Sequence, residues 1–322
     1  MSPLTRIAET PVSTENYHFI IDWMTPVQPL RLAQRSAPVR RSRRTLLQAL
    51  LFLPLAGLAA RSRAAAPETP LKLGIMPFNS ALALIKTHQP LTHYLETQLG
   101  RKVTIYTAPD YVTYARQLLA GDFDLAIAGP HFGAMAAEQG FDALFRYRAE
   151  LLPLFVVRND SPVKKLKELQ GKRIALSSNL SISSIGGLKW LHDHGYQPGR
   201  DYQLREFATH GAAIAAVAVG EMDAAVTTYT PLKQVPPDIR ANLRTLETGA
   251  SIPHLMTLAN RKLGKTGIDR IRSALEAFQR TAEGQAFFRD TGYIGYAPVS
   301  QSDIDSLQPL IELTRNLLDG AR

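Results

Sequence analysis

Eight consecutive residues, Ser177-Ser178-Asn179-Leu180-Ser181-Ile182-Ser183-Ser184, carry five hydroxyls and one amide between an apolar run and the start of a helical pattern. Hydroxyl and backbone N–H donors without Lys or Arg can surround a tetrahedral or planar oxyanion. The dipole of the following helix adds about 0.3–1 kcal/mol and neutral hydrogen bonds supply the rest. Capping that helix needs a single Ser. So many donors make Ser177, Ser178, Asn179, Ser181, Ser183 and Ser184 candidate ligand contacts. Four shorter segments have the same position, after an apolar run and before or within a turn: Phe78-Asn79, Pro130-His131-Phe132, Thr209-His210 and Thr227-Thr228-Tyr229. Each has a structural alternative. Asn79 or Ser80 could cap a helix, His131 could be a surface residue of a tight turn, and His210 could cap its own helix.

Other chemistries find no support in the residues. There is no Cys, which excludes a thiol nucleophile, Cys-ligated metals, structural disulfides and a lipoprotein anchor. The His residues show no metal spacing: His192 and His194 are two apart, and Asp193 is their one nearby acid. No Walker loop, Gly-x-Gly-x-x-Gly, Gly-x-Ser-x-Gly or kinase pattern occurs. Asp124 and Asp223 look like a catalytic carboxylate pair, but both sit where a turn enters a strand, opposite the candidate contacts. A turn-capping role is expected for both. The reading is of a binding protein with no cofactor and no metal, not an enzyme.

The elements that position these residues are duplicated. Tyr114 to Pro130 reads as an amphipathic helix, Gly121, an acidic turn with Asp124 and a short buried strand. Ala213 to Pro231 repeats this 99 residues later with Gly220 and Asp223. Strands and helices alternate around each copy: strand 71–77, helix 81–99 broken at Pro90, strand 102–107, helix 111–120, strand 123–128, helix 132–139; then helix 164–170, strand 172–176, helix 184–195, strand 202–207, helix 212–219 and strand 223–228. Such alternation predicts parallel βαβ units with helices on both faces. The apolar runs Leu151–Val157 and Ile252–Ala259 carry the chain between units, and 268–281 and 302–318 are amphipathic helices. The expected domains are a first lobe of residues 67–157 plus 252–322 and a second lobe of 158–251, with two crossings as the hinge.

The net charge of +9 belongs mainly to the N-terminus. Residues 1–64 hold nine Arg, no Lys and three acids, leaving a net of +3 on the rest. A nucleic-acid partner is therefore not indicated. Arg40-Arg41-Ser42-Arg43-Arg44 precedes an apolar stretch, Leu46–Ala60, that is too short and too broken by Pro54 and Gly57 to span a membrane. Residues 1–66 read as an N-terminal extension and a cleaved export signal, with cleavage after Ala64 or Ala66. Ser42-Arg43-Arg44-Thr45-Leu46-Leu47-Gln48 resembles the twin-arginine motif; a general secretory signal rich in arginine is the alternative. Met24 is a candidate start. The expected location is the periplasm, with no stable membrane anchor.

One family carries these pieces in this order. Leu73-Gly74-Ile75-Met76-Pro77-Phe78, Pro90 to Leu95, Asp110-Tyr111, Gly121-Asp122-Phe123-Asp124, Gly129-Pro130, Leu169 to Arg173, Thr209-His210 and Ala216 to Asp223 resemble the series found in substrate-binding proteins of phosphate, phosphite and phosphonate ABC transporters. The resemblance covers about residues 70–300. It implies a two-lobed periplasmic binding protein of type II, two doubly wound α/β sheets joined by a two-strand hinge, closing on a small oxyanion and delivering it to an ABC permease. It places the hydroxyl grip on Ser177–Ser184, the His contact on His210 and the aromatic contact on His131 or Phe132. The chain departs from the pattern in its longer Ser loop, in lacking Tyr after Gly129-Pro130, and in ending its second repeat strand without an acid to receive an aminophosphonate's ammonium. A membrane sensor partner or a cleft enzyme on the same fold are the alternatives.

Overall fold

The computed structural model describes residues 69–320, so the export signal expected over residues 1–66 lies outside the described residues. The chain opens with β1 (Leu71–Ile75), α1 (Ala81–Leu99), β2 (Val103–Tyr106), α2 (Tyr111–Leu119), β3 (Leu125–Ala128), α3 (Pro130–Glu138), β4 (Phe141–Tyr147) and β5 (Glu150–Leu151). It continues through β6 (Leu154–Arg158), β7 (Arg173–Leu176), α4 (Ile182–Asp193), β8 (Gln203–Glu206), α5 (His210–Ala218), β9 (Ala224–Thr227), α6 (Tyr229–Gln234), α7 (Pro237–Arg240) and β10 (Leu243–Glu247). The return comprises β11 (Ile252–Pro253), β12 (Met256–Asn260), α8 (Gly264–Phe278), α9 (Ala282–Thr291), β13 (Tyr296–Ala297) and α10 (Gln301–Gly320).

These elements make two sheets. One has the order β13-β4-β12-β3-β1-β2 and the other β10-β6-β9-β7-β8. In each, a parallel trio (β3-β1-β2 and β9-β7-β8) is extended by antiparallel strands. The expected all-parallel units are thus mixed sheets, because the returning strands β12 and β6 insert beside the repeat strands β3 and β9. Between the sheets β5 pairs antiparallel with β11, joining the two crossings.

Several boundaries differ from the sequence expectation. Residues 154–157, expected in the first lobe, pair as part of β6 with β9 and β10 of the second sheet. The crossing therefore falls at Pro153, which lacks the N–H a continuous strand would use. Helix α1 runs unbroken through Pro90; its packing against α8 and α9 holds it. Residues expected as helix 164–170 form only a 3₁₀ turn, Leu166–Leu169.

The duplicated unit is built alike twice. Helices α2 and α5 both have nine residues, and each is N-capped by a side chain: Asp110 accepts from Thr113 N–H at 2.7 Å, and Thr209 accepts from Ala212 N–H at 3.1 Å. Gly121 and Gly220 follow with φ of 78° and 80°, the left-handed conformation that ends a helix without Cβ strain. Asp124 then accepts from Lys72 N–H at 2.8 Å, and Asp223 from Arg173 N–H at 2.8 Å. Each Asp thereby ties its strand to the start of the neighbouring parallel strand, a structural role on the side of the sheet where the strands begin.

Candidate functional site

The C-terminal ends of the parallel strands of both sheets meet at one small cavity, where open α/β sheets place ligands. Its free interior is about 30 Å³, where one water needs about 10–15 Å³ on the same measure. Room for a few waters is room for a small oxyanion. The first sheet contributes Met76 and Phe78 after β1, Tyr111 at the start of α2, and His254, Leu255 and Tyr293 from the returning chain. The second contributes Ser181, Ile182, Ser183, His210 and Thr228. Among the described residues no Asp, Glu, Lys or Arg lines it.

His210 organises the second-lobe wall. Its Nε2 lies 3.1 Å from Ser177 Oγ and 3.4 Å from Ser181 Oγ, and its Nδ1 lies 3.2 Å from Thr227 Oγ1. Burial lowers its pKa to about 4, only partly opposed by the Val226 carbonyl, so the ring is neutral near pH 7. Ser181 occupies the N-cap of α4, yet its hydroxyl does not cap the helix. It turns instead to Ser183 Oγ at 2.7 Å. The first turn of α4 therefore presents N–H groups without a side-chain cap at the edge of the cavity, where a helix N-terminus favours an anion.

The first-lobe wall holds further neutral donors. Tyr111 is 3% exposed and its hydroxyl has no hydrogen-bond partner of full geometry. Burial raises its pKa to about 12, with the Ser177 and Ser181 hydroxyls beside it acting the other way. The Tyr293 hydroxyl is likewise buried and unpartnered among the described residues. His254 is neutral, its pKa lowered to about 3 by burial and by nearby Arg146. Leu255 N–H donates to its Nδ1 at 2.8 Å, which leaves the proton on Nε2. The ring thus offers the cavity an N–H donor without a charge.

Of the residues singled out from sequence, Phe78, Ser181, Ser183, His210 and Thr228 line the cavity. The others fall around it. Ser177 and Thr227 stand behind His210 and orient its ring. Ser178 accepts from Leu180 N–H at 3.1 Å, and Asn179 is exposed, its N–H reaching Glu206 at 3.3 Å. The Ser184 hydroxyl is buried in the first turn of α4 without a partner among the described residues. Tyr229 turns away to donate to Glu247. Pro130, His131 and Phe132 are buried in the first lobe rather than at a lip of the cleft. His131 Nε2 donates to the Leu180 carbonyl at 3.1 Å, which fixes the loop of one lobe to the other. Leu180, Ile182 and Ile185 pack into the apolar cluster of the first lobe. Asn79 also bridges the lobes, donating from Nδ2 to Gln234 Oε1 at 2.6 Å.

Tyr111, His254 and Tyr293 were missed as contacts. Tyr111 was legible: it precedes His210 by 99 residues and, like His210, directly follows a helix cap. Both are the first residue of corresponding helices. His254 and Tyr293 follow the crossing and the α9 turn, and no local pattern marks them.

Residues 73–304 match the family described as "ABC transporter, phosphonate, periplasmic substrate-binding protein". The chain belongs to this family. Its relatives include the phosphate-import protein PhnD of Mycolicibacterium smegmatis, 24% identical over 288 residues, covering 77% of this chain and 86% of that one. They also include the phosphonates-binding periplasmic protein of Escherichia coli, 24% identical over 273 residues, covering 80% of each chain. PhnD1 from Prochlorococcus marinus, solved with methylphosphonate, superposes with a TM-score of 0.67 at 18% identity, covering 77% of this chain and 97% of that one. The fold is that of type II periplasmic binding proteins. Among the described residues no helix is long and apolar enough to cross a membrane, and no group of three or more His, Asp or Glu could hold a metal ion.

Proposed function

We propose that this chain is an exported, periplasmic solute-binding protein that closes its lobes on a small tetrahedral oxyanion with an uncharged substituent and hands it to an ABC permease. The observation that carries the reading is the pair of buried hydroxyls of Tyr111 and Tyr293, neither with a hydrogen bond of full geometry among the described residues, at a cavity whose other polar lining is Ser, Thr and neutral His. An unsatisfied buried hydroxyl costs about 1–3 kcal/mol, and an anion accepting from both would remove that penalty. The absence of a lining carboxylate disfavours an aminoalkyl substituent, whose ammonium would be buried without a partner. Phosphite and methylphosphonate fit this chemistry better than an aminophosphonate.

The family and the relatives' names support a transport role, and the Ser42–Gln48 motif supports export by the twin-arginine route with cleavage near Ala64. The same lining lacks a group able to move a proton near pH 7, which supports binding rather than turnover. The test is thermal melting of the protein with phosphate, phosphite, methylphosphonate, 2-aminoethylphosphonate, sulfate and alkanesulfonates. A ligand at 100 times its dissociation constant adds about 2.7 kcal/mol of stability. A melt that shifts with 2-aminoethylphosphonate but with no uncharged analogue overturns the substituent assignment, and a melt indifferent to the whole panel overturns the binding role.

A further inference from the structure

A second cavity, of about 730 Å³, lies apart from the first and has the opposite electrostatic character. Among the described residues four of its lining side chains are basic, Arg148, Lys233, Arg280 and Arg289, and none is acidic. Three of them belong to the first lobe: Arg148 follows β4, Arg280 follows α8, and Arg289 is in the last turns of α9. Lys233 belongs to α6 of the second. Its Nζ reaches the C-cap of α9, 3.4 Å from where a Cβ on Gly292 would stand. Lys233 and Arg280 form no ion pair among the described residues. The Arg148 guanidinium donates to the Tyr296 carbonyl at 3.2 Å, and Arg289 meets Asp290 at 3.6 Å with both side chains largely exposed.

Closing the lobes thus brings one cation of the second lobe against three of the first. That juxtaposition opposes closure unless a counter-charge sits between them. All four side chains are exposed, and together they line one concave space large enough for a multi-atom ligand, which favours a compact small molecule over a flat protein face. Arginine forks suit the paired oxygens of phosphoryl groups. We propose that this cavity is a second, regulatory anion site that takes a compact polyanion with two or more phosphoryl groups and bridges the lobes through Lys233. Such a ligand binds the closed form better than the open one. By linkage it tightens binding in the central cavity, and a central ligand tightens binding here by the same factor.

The test uses the full chain and inorganic tripolyphosphate. Thermal melting and small-angle scattering are recorded with tripolyphosphate and with sodium chloride at matched ionic strength. The expected result is a higher melting temperature and a smaller radius of gyration with tripolyphosphate alone. Arg280→Glu should weaken binding about tenfold or more. Lys233→Glu should abolish the compaction while leaving residual binding to the first-lobe arginines. Binding by the Ser181→Ala/Ser183→Ala protein should be retained; its loss would place the anion in the central cavity and overturn the assignment. Equal effects of matched salt, or unchanged tripolyphosphate affinity in both charge-reversed proteins, would overturn it as well. Pyrophosphate and a nucleoside triphosphate, run in parallel, distinguish a free polyphosphate from a phosphorylated metabolite as the source.

Discussion

The two copies of the repeated unit, Asp110–Pro130 and Thr209–Pro231, share a cap, a nine-residue helix, a left-handed Gly and an Asp that ties two parallel strands, yet they deliver different chemistry. At the helix starts, Tyr111 and His210 face one cavity from opposite lobes, both beside Ser177 and Ser181. At the strand ends the copies diverge. The second leads to Thr227 and Thr228, which orient His210 and line the cavity. The first leads to His131, which is sealed in the core and holds Leu180 of the other lobe. A duplicated scaffold thus conserves where side chains are placed without conserving what they do. One strand end serves the ligand and the other serves closure.

The largest test of this contrast is acid. His88, His131, His210 and His254 are all buried, with pKa values lowered from 6.5 to about 4, 3, 4 and 3. A depressed pKa means the unfolded chain binds the proton first. The stability each neutral ring confers is full above pH 6.5 and is lost as pH falls from 6.5 toward its folded value. Near pH 5 the slope should approach four protons, about 1.4 kcal/mol per pH unit for each, read from denaturant unfolding at stepped pH. His131→Gln and His210→Gln should each remove one proton from that slope; an unchanged slope in either means that its ring is not neutral in the folded state.

Binding should separate the same two residues. His210→Ala should weaken the small oxyanion by about a hundredfold, since it unmoors Ser177, Ser181 and Thr227 together. His131→Ala should instead lower stability by about 2–4 kcal/mol through a lost contact and a buried hole, and shift the scattering profile toward an open form. If calorimetry shows His131→Ala losing as much intrinsic affinity as His210→Ala, the division between grip and latch is wrong.

The paired acids give a smaller effect. Asp124→Ala and Asp223→Ala should each lower stability by about 1–2 kcal/mol, because each releases a backbone N–H of a neighbouring strand. The Arg173 guanidinium, which holds the Asp223 carboxyl below its usual pKa, is partly exposed and adds little. Ligand affinity should not change in either; a tenfold loss would return these acids to the functional site. The smallest change expected is Tyr111→Phe. Removing a buried unpartnered hydroxyl should leave the empty protein as stable or slightly more so, while weakening the ligand about tenfold. Equal affinity in melting titrations would take Tyr111 out of the grip.

Much of this was legible along the chain. The helix, Gly, Asp and strand grammar located both repeats, and the density of hydroxyls picked out the loop that reaches the cavity. Ser181, Ser183, His210 and Thr228 followed from those two patterns. Pro130-His131-Phe132 was misplaced because a turn after a buried strand reads the same whether it opens on a cleft or folds under another lobe's loop. His254 was invisible for a related reason: it sits in an apolar crossing segment, and only the pairing of β5 with β11 brings that segment beside the cavity.

The amino-acid order determined, through periodicity and turn chemistry, which residues form each repeat and where each helix begins and ends. These are local matters, settled within about fifteen residues. Tertiary structure decided which neutral groups from opposite lobes share one small cavity, which histidine tautomer faces it, and which cations line the second cavity. Those outcomes bring together residues far apart in the chain, as where Ser177 meets His210, 33 positions on, or where Tyr111 and Tyr293 line one cavity. Short-range pattern carries no information about such distances.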